Sequence, residues 1–216
     1  MSQLVIIGAG GHAKVIIDML QEIGHMEIVG CTSGDPAEVG SSVLEVPVLG
    51  DDAVLPELYA SGVRKAFVAV GDNQRRGSLM RHVMALGFKL ATVVSPHAMV
   101  SCRAELGDGV AVMPGAAINV SSEIGDGSIV NTGATVDHDC RLARLVHIAP
   151  GTHVAACVSL GEGAFLGTGT RVVPKITIGP WAIVGAGAVV IRDIPGNVTA
   201  VGVPAAILAD HRYEEK

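Results

Sequence analysis

One register dominates this chain. Every sixth residue from Val94 to Val190, seventeen positions in all, is Val, Ile or Leu. If a third of positions were aliphatic, chance would produce that run with a probability on the order of 10⁻⁸, which excludes ordinary alternating strands. Four places after each aliphatic residue comes a mostly small one, as at Ala98, Ala104, Ala116, Ser122 and Ser128. Gly often follows the aliphatic residue directly, as at Gly107, Gly125, Gly161, Gly167, Gly179 and Gly185. A period of six means a short strand and a turn per hexad, three hexads per triangular coil, and residue i stacked on i+18. The interior of such a prism is too narrow for rings, and only Phe165 and Trp181 fall in this stretch of a chain that is 3% aromatic. Gly, Asn and Asp at the corners are expected to accept positive φ.

Residues 1–93 follow another pattern. LVIIG (4–8) reads as a buried strand, then a glycine turn, a helix from about Ala13 to Ile23, and a second strand at 27–31. A short strand near Val46, a helix near 51–60, strand 66–71, a helix near 75–86 and a strand at 89–94 complete the segment. The expected architecture is therefore an α/β Rossmann-like domain, 1–93, followed by a parallel β-helix of hexapeptide repeats, 94–216, ending in the polar tail HRYEEK.

Composition narrows the function. Fifteen Lys and Arg against 21 Asp and Glu give a net charge of −6 without a basic cluster, which argues against nucleic acid and anionic membrane as partners. No apolar run approaches the ~18 residues that span a bilayer, and the N-terminus has no basic n-region of a signal peptide. Four cysteines, Cys31, Cys102, Cys140 and Cys157, lack CxxC spacing and read as reduced, buried thiols of a cytoplasmic protein.

The segment Gly8-Ala9-Gly10-Gly11-His12-Ala13 matches G-x-G-x-x-A between a strand and a helix, a context in which backbone amides hold phosphate. It reads as the cradle of a diphosphate-bearing ligand, with a nicotinamide cofactor and a purely structural turn as the alternatives. Cys31-Thr32-Ser33 stand where a ribose-binding acid is expected, although Asp35 is near. Gly71-Asp72-Asn73, at another strand end, falls on the same sheet edge and can face the same ligand.

In the prism, Asp137-His138-Asp139 flanks an imidazole with two carboxylates, which can hold one tautomer and raise its basicity. A surface histidine taken alone is more often inert. His147 and His153 follow, but no His-x4-His pair exists, so no metal is expected. Trp181 fits either a packed corner or a platform for an adenine. Lys175 is a candidate phosphate contact.

Taken together, Ile7 to His12, Gly71 to Asn73, the run Asn131 to Cys140 and Val201-Gly202-Val203-Pro204-Ala205 resemble the hexapeptide-repeat nucleotide-sugar N-acetyltransferases of the bacillosamine and perosamine type. The resemblance spans nearly the whole chain and implies a left-handed β-helix and transfer of acetyl from acetyl-CoA to the 4-amine of a nucleotide-linked 4-amino-4,6-dideoxyhexose. It further implies His138 as general base supported by Asp139, and His147, Thr168 and Ala186 at the CoA arm. The nucleotide falls to Gly10, Gly11, His12, Thr32, Ser33, Gly71, Asp72 and Asn73. A homotrimer with sites between subunits, no metal, and a cytoplasmic role in polysaccharide synthesis complete the expectation. GDP is favoured over UDP by the overall similarity to the perosamine branch and because Thr32 and Ser33 replace acids that UDP-binding members can carry; separately, Ala206 stands where a lysine often follows the terminal motif, which removes that phosphate contact. Sugar O-acetylation and a non-catalytic binding protein are the alternatives.

Overall fold

The computed structural model describes residues 2–211, so five of the six residues of the expected polar tail lie outside the described residues. Two compact units meet in sequence at Pro96 and His97.

The first unit is a twisted sheet in the order β3-β4-β2-β1-β5-β6. Its strands are β1 (Ser2–Ile7), β2 (Met26–Thr32), β3 (Ser42–Val43), β4 (Val46–Gly50), β5 (Lys65–Val68) and β6 (Lys89–Leu90). Pairing is parallel except for the β3–β4 hairpin, whose first strand is only two residues long and does not stand out in the sequence. Leu4, Val5, Ile6 and Ile7 are at most 1% exposed, as a central parallel strand covered on both faces requires. Helices α1 (Gly11–Ile23), α2 (Leu55–Ala60) and α3 (Asn73–Ala85) connect the strands. Helix α1 presents Ala13, Ile16, Ile17, Met19 and Leu20 to the core and stops at Gly24, whose φ of 72° returns an N–H to the Leu20 carbonyl. Its start at Gly11 is two residues earlier than expected, which puts His12 in the first turn of the helix. The 89–94 segment is not one strand: it breaks after β6 and resumes at Val93–Val94.

The second unit is the hexapeptide prism. Its two-residue strands form three parallel columns in strict i to i+18 register, for example Ile129, His147, Phe165 and Ile183 on one face. Thr135, His153, Arg171 and Val189 stack on the second face, and Glu123, Arg141, Ser159 and Thr177 on the third. The predicted ladder residues from Val112 to Val190 are each at most 3% exposed. Val94, Val100 and Leu106, at the start of the stack, are only half-buried. The small residues four places on form a second inward ladder. Buried hydroxyls in that ladder reach carbonyls of the next coil, with Ser122 donating to Asp137 at 2.7 Å and Thr152 to Gly167 at 3.0 Å.

The corners divide the glycines into two kinds. Every sixth residue from Gly109 to Gly187 has φ between 57° and 71°, but Ser121, Asp139, Leu145, Cys157, Lys175 and Trp181 share that conformation with the glycines. Coil stacking therefore imposes the left-handed corner on whatever residue stands there. The glycine that directly follows the aliphatic residue answers a different need. A Cβ on Gly125 would lie 2.6 Å from the Ala143 carbon and the Arg144 nitrogen of the next coil, so close approach and not positive φ excludes a side chain. Both large rings stay outside the prism: Phe165 packs edge-on against His147, and Trp181 covers Gly163 at a corner. Two cysteines depart from expectation. Cys102 and Cys157 are exposed because they occupy corners, whereas Cys31 and Cys140 are buried.

Candidate active site

Along one edge of the prism, Asp137, His138 and Asp139 form the corner between the second and third columns. His138 Nδ1 lies 2.6 Å from Asp139 Oδ2, and both side chains are about half exposed, at 49% and 58%. That hydrogen bond assigns the proton to Nδ1 and leaves Nε2 as the lone-pair nitrogen. It is also the main reason that the His138 pKa is held above its ordinary value, with the Asp137 and Asp139 charges adding to it. Asp137 has a different task. Its Oδ1 accepts from Asn119 Nδ2 at 2.9 Å and from the His138 N–H at 2.8 Å, and these bonds push its pKa down. Only one of the two flanking carboxylates touches the imidazole; the other fixes the backbone beneath it.

The expected CoA-arm residues divide between edges. His147, 8% exposed, is held by Asn131 Nδ2 at 3.2 Å from its Nε2 and by the ring of Phe165 at 5.2 Å. Thr168 and Ala186 are stacked and exposed at the corner that follows that face, where the Gly187 N–H donates to the Thr168 carbonyl at 2.8 Å. Lys175 stands on the His138 edge instead, two coils beyond Asp139, exposed, with φ 65°. Between them, on the second column, a groove of about 350 Å³ is lined by Asn119, Thr135, Asp137, His153, Ala155 and Arg171, among others.

In the first unit, a cavity of about 520 Å³ opens at the carboxyl ends of β1, β2 and β5. Gly10, Gly11, His12, Ser33 and Gly71 line it, which brings both predicted loops to one place. Gly8 has a structural reason to be glycine: its φ is 113°, and a Cβ would sit 3.0 Å from the Ala69 carbonyl. Gly10, Gly11 and Gly71 have none, because their φ values are ordinary and a Cβ on any of them would meet nothing within 4 Å. Their bareness leaves room for something that is not part of the chain, beside the N–H groups of the first turn of α1. Thr32 faces an adjoining cavity of about 270 Å³, and its hydroxyl donates to Asp52 at 2.8 Å. Asp72 and Asn73 hold the loop itself: Asp72 caps α3 by accepting from the Arg75 N–H at 2.7 Å, and Asn73 accepts from Arg76 Nη2 at 2.7 Å.

The family model for the PglD N-terminal domain matches residues 3–83. No curated protein matches the chain. Among solved structures, a His-to-Asn variant of perosamine N-acetyltransferase from Caulobacter crescentus, in complex with CoA and GDP-perosamine, is 50% identical with a TM-score of 0.93. That match covers 97% of this chain and 98% of that one. The chain belongs to the hexapeptide-repeat sugar acetyltransferases. The acetyltransferase domain of PglB from Neisseria gonorrhoeae, in complex with acetyl coenzyme A, is 40% identical with a TM-score of 0.90 and covers 95% of this chain and 98% of that one. WeeI from Acinetobacter baumannii is 25% identical, with a TM-score of 0.84 and coverage of 96% and 100%. No described helix of this acetyltransferase is long and apolar enough to cross a membrane.

Two groups at the glycine cavity of this acetyltransferase, one buried behind its Gly71 loop and one in its lining, escape a reading by motif. Arg76, only 1% exposed, donates to the Val70 and Gly71 carbonyls at 3.0 and 2.9 Å, and burial lowers its pKa to about 10. Burial first, and then the Arg76 charge, lowers the His12 pKa to about 4, and His12 Nε2 is buried without a hydrogen-bond partner. The second missed group is Glu38. It follows a proline in a short 3-10 turn, and the Ser33 hydroxyl donates to it at 2.5 Å, which supplies the acid absent from the end of β2. The helical spacing of Arg76 behind Asp72 was the one available signal, and it is indistinguishable from that of a surface arginine.

Proposed function

We propose that this chain is an acetyl-CoA-dependent N-acetyltransferase that acylates the 4-amino group of a nucleotide-linked 4-amino-4,6-dideoxyhexose by direct transfer. The exposed His138–Asp139 pair carries the reading. A neutral sugar amine attacks the thioester carbonyl, the tetrahedral adduct gives its surplus ammonium proton to His138 Nε2, and the C–S bond breaks to release CoA thiolate. Asp139, bonded at Nδ1, orients the ring and stabilises the imidazolium, as the carboxylate does in hydrolase triads, here without a nucleophilic serine. His138 then returns its proton to the thiolate.

Residues 1–93 serve as the nucleotide domain and 94–216 as the acyl-transfer domain. The cavity around Gly10, Gly11 and Gly71 receives the diphosphate, with the amides of α1 as donors and the buried Arg76 cation behind the Gly71 loop. His12 and Ser33 face the same cavity, Thr32 the adjoining one, and Asp72 and Asn73 hold its rim. His147, Thr168, Ala186 and Lys175 serve the CoA arm. Their division between two edges is the arrangement expected if subunits form a homotrimer in which His138 and His147 reach one site from neighbouring chains. GDP is the favoured nucleotide, supported by the relative solved with GDP-perosamine. The setting is the cytoplasm.

Acceptor specificity tests the reading. Initial rates of CoA thiol release are measured with GDP-, UDP- and dTDP-linked 4-amino sugars and with the matching 4-hydroxy sugars. Turnover with the amines, fastest for GDP, is the expected result. Faster transfer to the hydroxyl makes the chain an O-acetyltransferase, and no release with any acceptor makes it a binding protein.

A further inference from the structure

The His138 corner holds a third group that acyl transfer does not use. Cys157 follows Asp139 by eighteen residues and so occupies the same corner one coil on, with φ 61° against 57°. Ladder bonds fix both corners: the Cys157 N–H donates to the His138 carbonyl at 3.0 Å, and the Asp139 N–H to the Val120 carbonyl at 3.1 Å. One ligand atom from each of His138, Asp139 and Cys157 lies within 4.8 Å of the others, and all three residues are exposed. We propose that this corner binds a thiophilic divalent cation, zinc foremost, and that the bound ion shuts off acetyl transfer by occupying the base.

The donor set is the argument for the ion. Imidazole, thiolate and carboxylate are the three side-chain ligands that zinc uses, and tetrahedral bonds of about 2.0–2.3 Å place ligand atoms roughly 3.5 Å apart. Rotation of exposed side chains on rigid corners brings these atoms to that spacing. On binding, the Cys157 thiol releases its proton, Nδ1 of His138 and the Asp139 carboxylate exchange their mutual hydrogen bond for bonds to the metal, and water takes the fourth position; the imidazole proton moves from Nδ1 to Nε2, which then has no lone pair to act as base. Magnesium and calcium require shells of oxygen and are poorly matched to a thiol and an imidazole. Ligation stands independently of the acyltransferase reading; only its inhibitory consequence rests on that reading.

Cobalt(II) is the spectroscopic probe, titrated into the full-length protein without substrates. Wild type should gain a thiolate-to-metal charge-transfer absorption that Cys157→Ser abolishes and zinc displaces. In initial-rate assays zinc should inhibit wild type, a chelator should restore it, and magnesium should have no effect. Cys157→Ser, with unchanged metal-free turnover, should need at least about tenfold more zinc for the same inhibition. Equal zinc sensitivity of the two proteins, or a wild-type cobalt complex without the charge-transfer band, overturns the proposal.

Discussion

His12 gives a stability prediction whose sign and size both follow from the structure. Its Nε2 is buried without a partner, and burial and the Arg76 charge lower its pKa from 6.5 to about 4. Between those values the folded chain keeps the imidazole neutral while the unfolded chain protonates it. The unfolded state then binds more protons, so stability rises with pH through this window and is lost as pH falls below 6.5. The loss is complete below about pH 4. At 1.36 kcal/mol per unit, the full effect is about 3 kcal/mol, and most of it is reached by pH 4.5. Urea unfolding of wild type and His12→Gln at pH 7.5 and 4.5 isolates the effect, because every other titrating group is common to both proteins. Wild type should lose roughly 2–3 kcal/mol more than the variant over that interval. Parallel pH dependence in the two proteins would mean that the folded imidazole titrates normally, and would refute the burial argument.

Two further predictions concern the same cavity. Gly71→Ala should leave the urea midpoint unchanged, since a Cβ there meets nothing within 4 Å, yet weaken GDP binding measured by calorimetry; unchanged affinity would return the loop to a structural role. Arg76→Met should reduce affinity for GDP at least about tenfold more than affinity for guanosine, because the lost cation acts on the phosphates. Equal losses for the two ligands would mean that Arg76 only holds the Gly71 loop.

The prism was legible because its physics is periodic. One inward ladder every six residues dictates strand, corner and stacking register together, so the strands Thr135–Val136 and His153–Val154 pair as the spacing requires. The corners were read less well. Asp139, Cys157 and Lys175 are left-handed because neighbouring coils hold them there, a constraint that appears in no local propensity. The same blindness explains Cys157, which reads as a buried thiol until the coil places it beside His138. In the first unit the glycine turn was visible, but the sequence did not separate Gly8, which the backbone requires, from Gly10 and Gly11, which it does not. Arg76 is bonded to the 70–73 loop behind the cavity and Glu38 lines it beside Ser33, and no motif announces such contacts.

The central claim is that His138 Nε2 takes the proton that acyl transfer must remove. Its most direct test is steady-state acetylation of a GDP-linked 4-amino-4,6-dideoxyhexose by wild type and His138→Ala, with binding of acetyl-CoA and the sugar nucleotide measured on both. Retained binding with kcat lowered by about 10²–10⁴ is the predicted result. Turnover by His138→Ala close to that of wild type would contradict it.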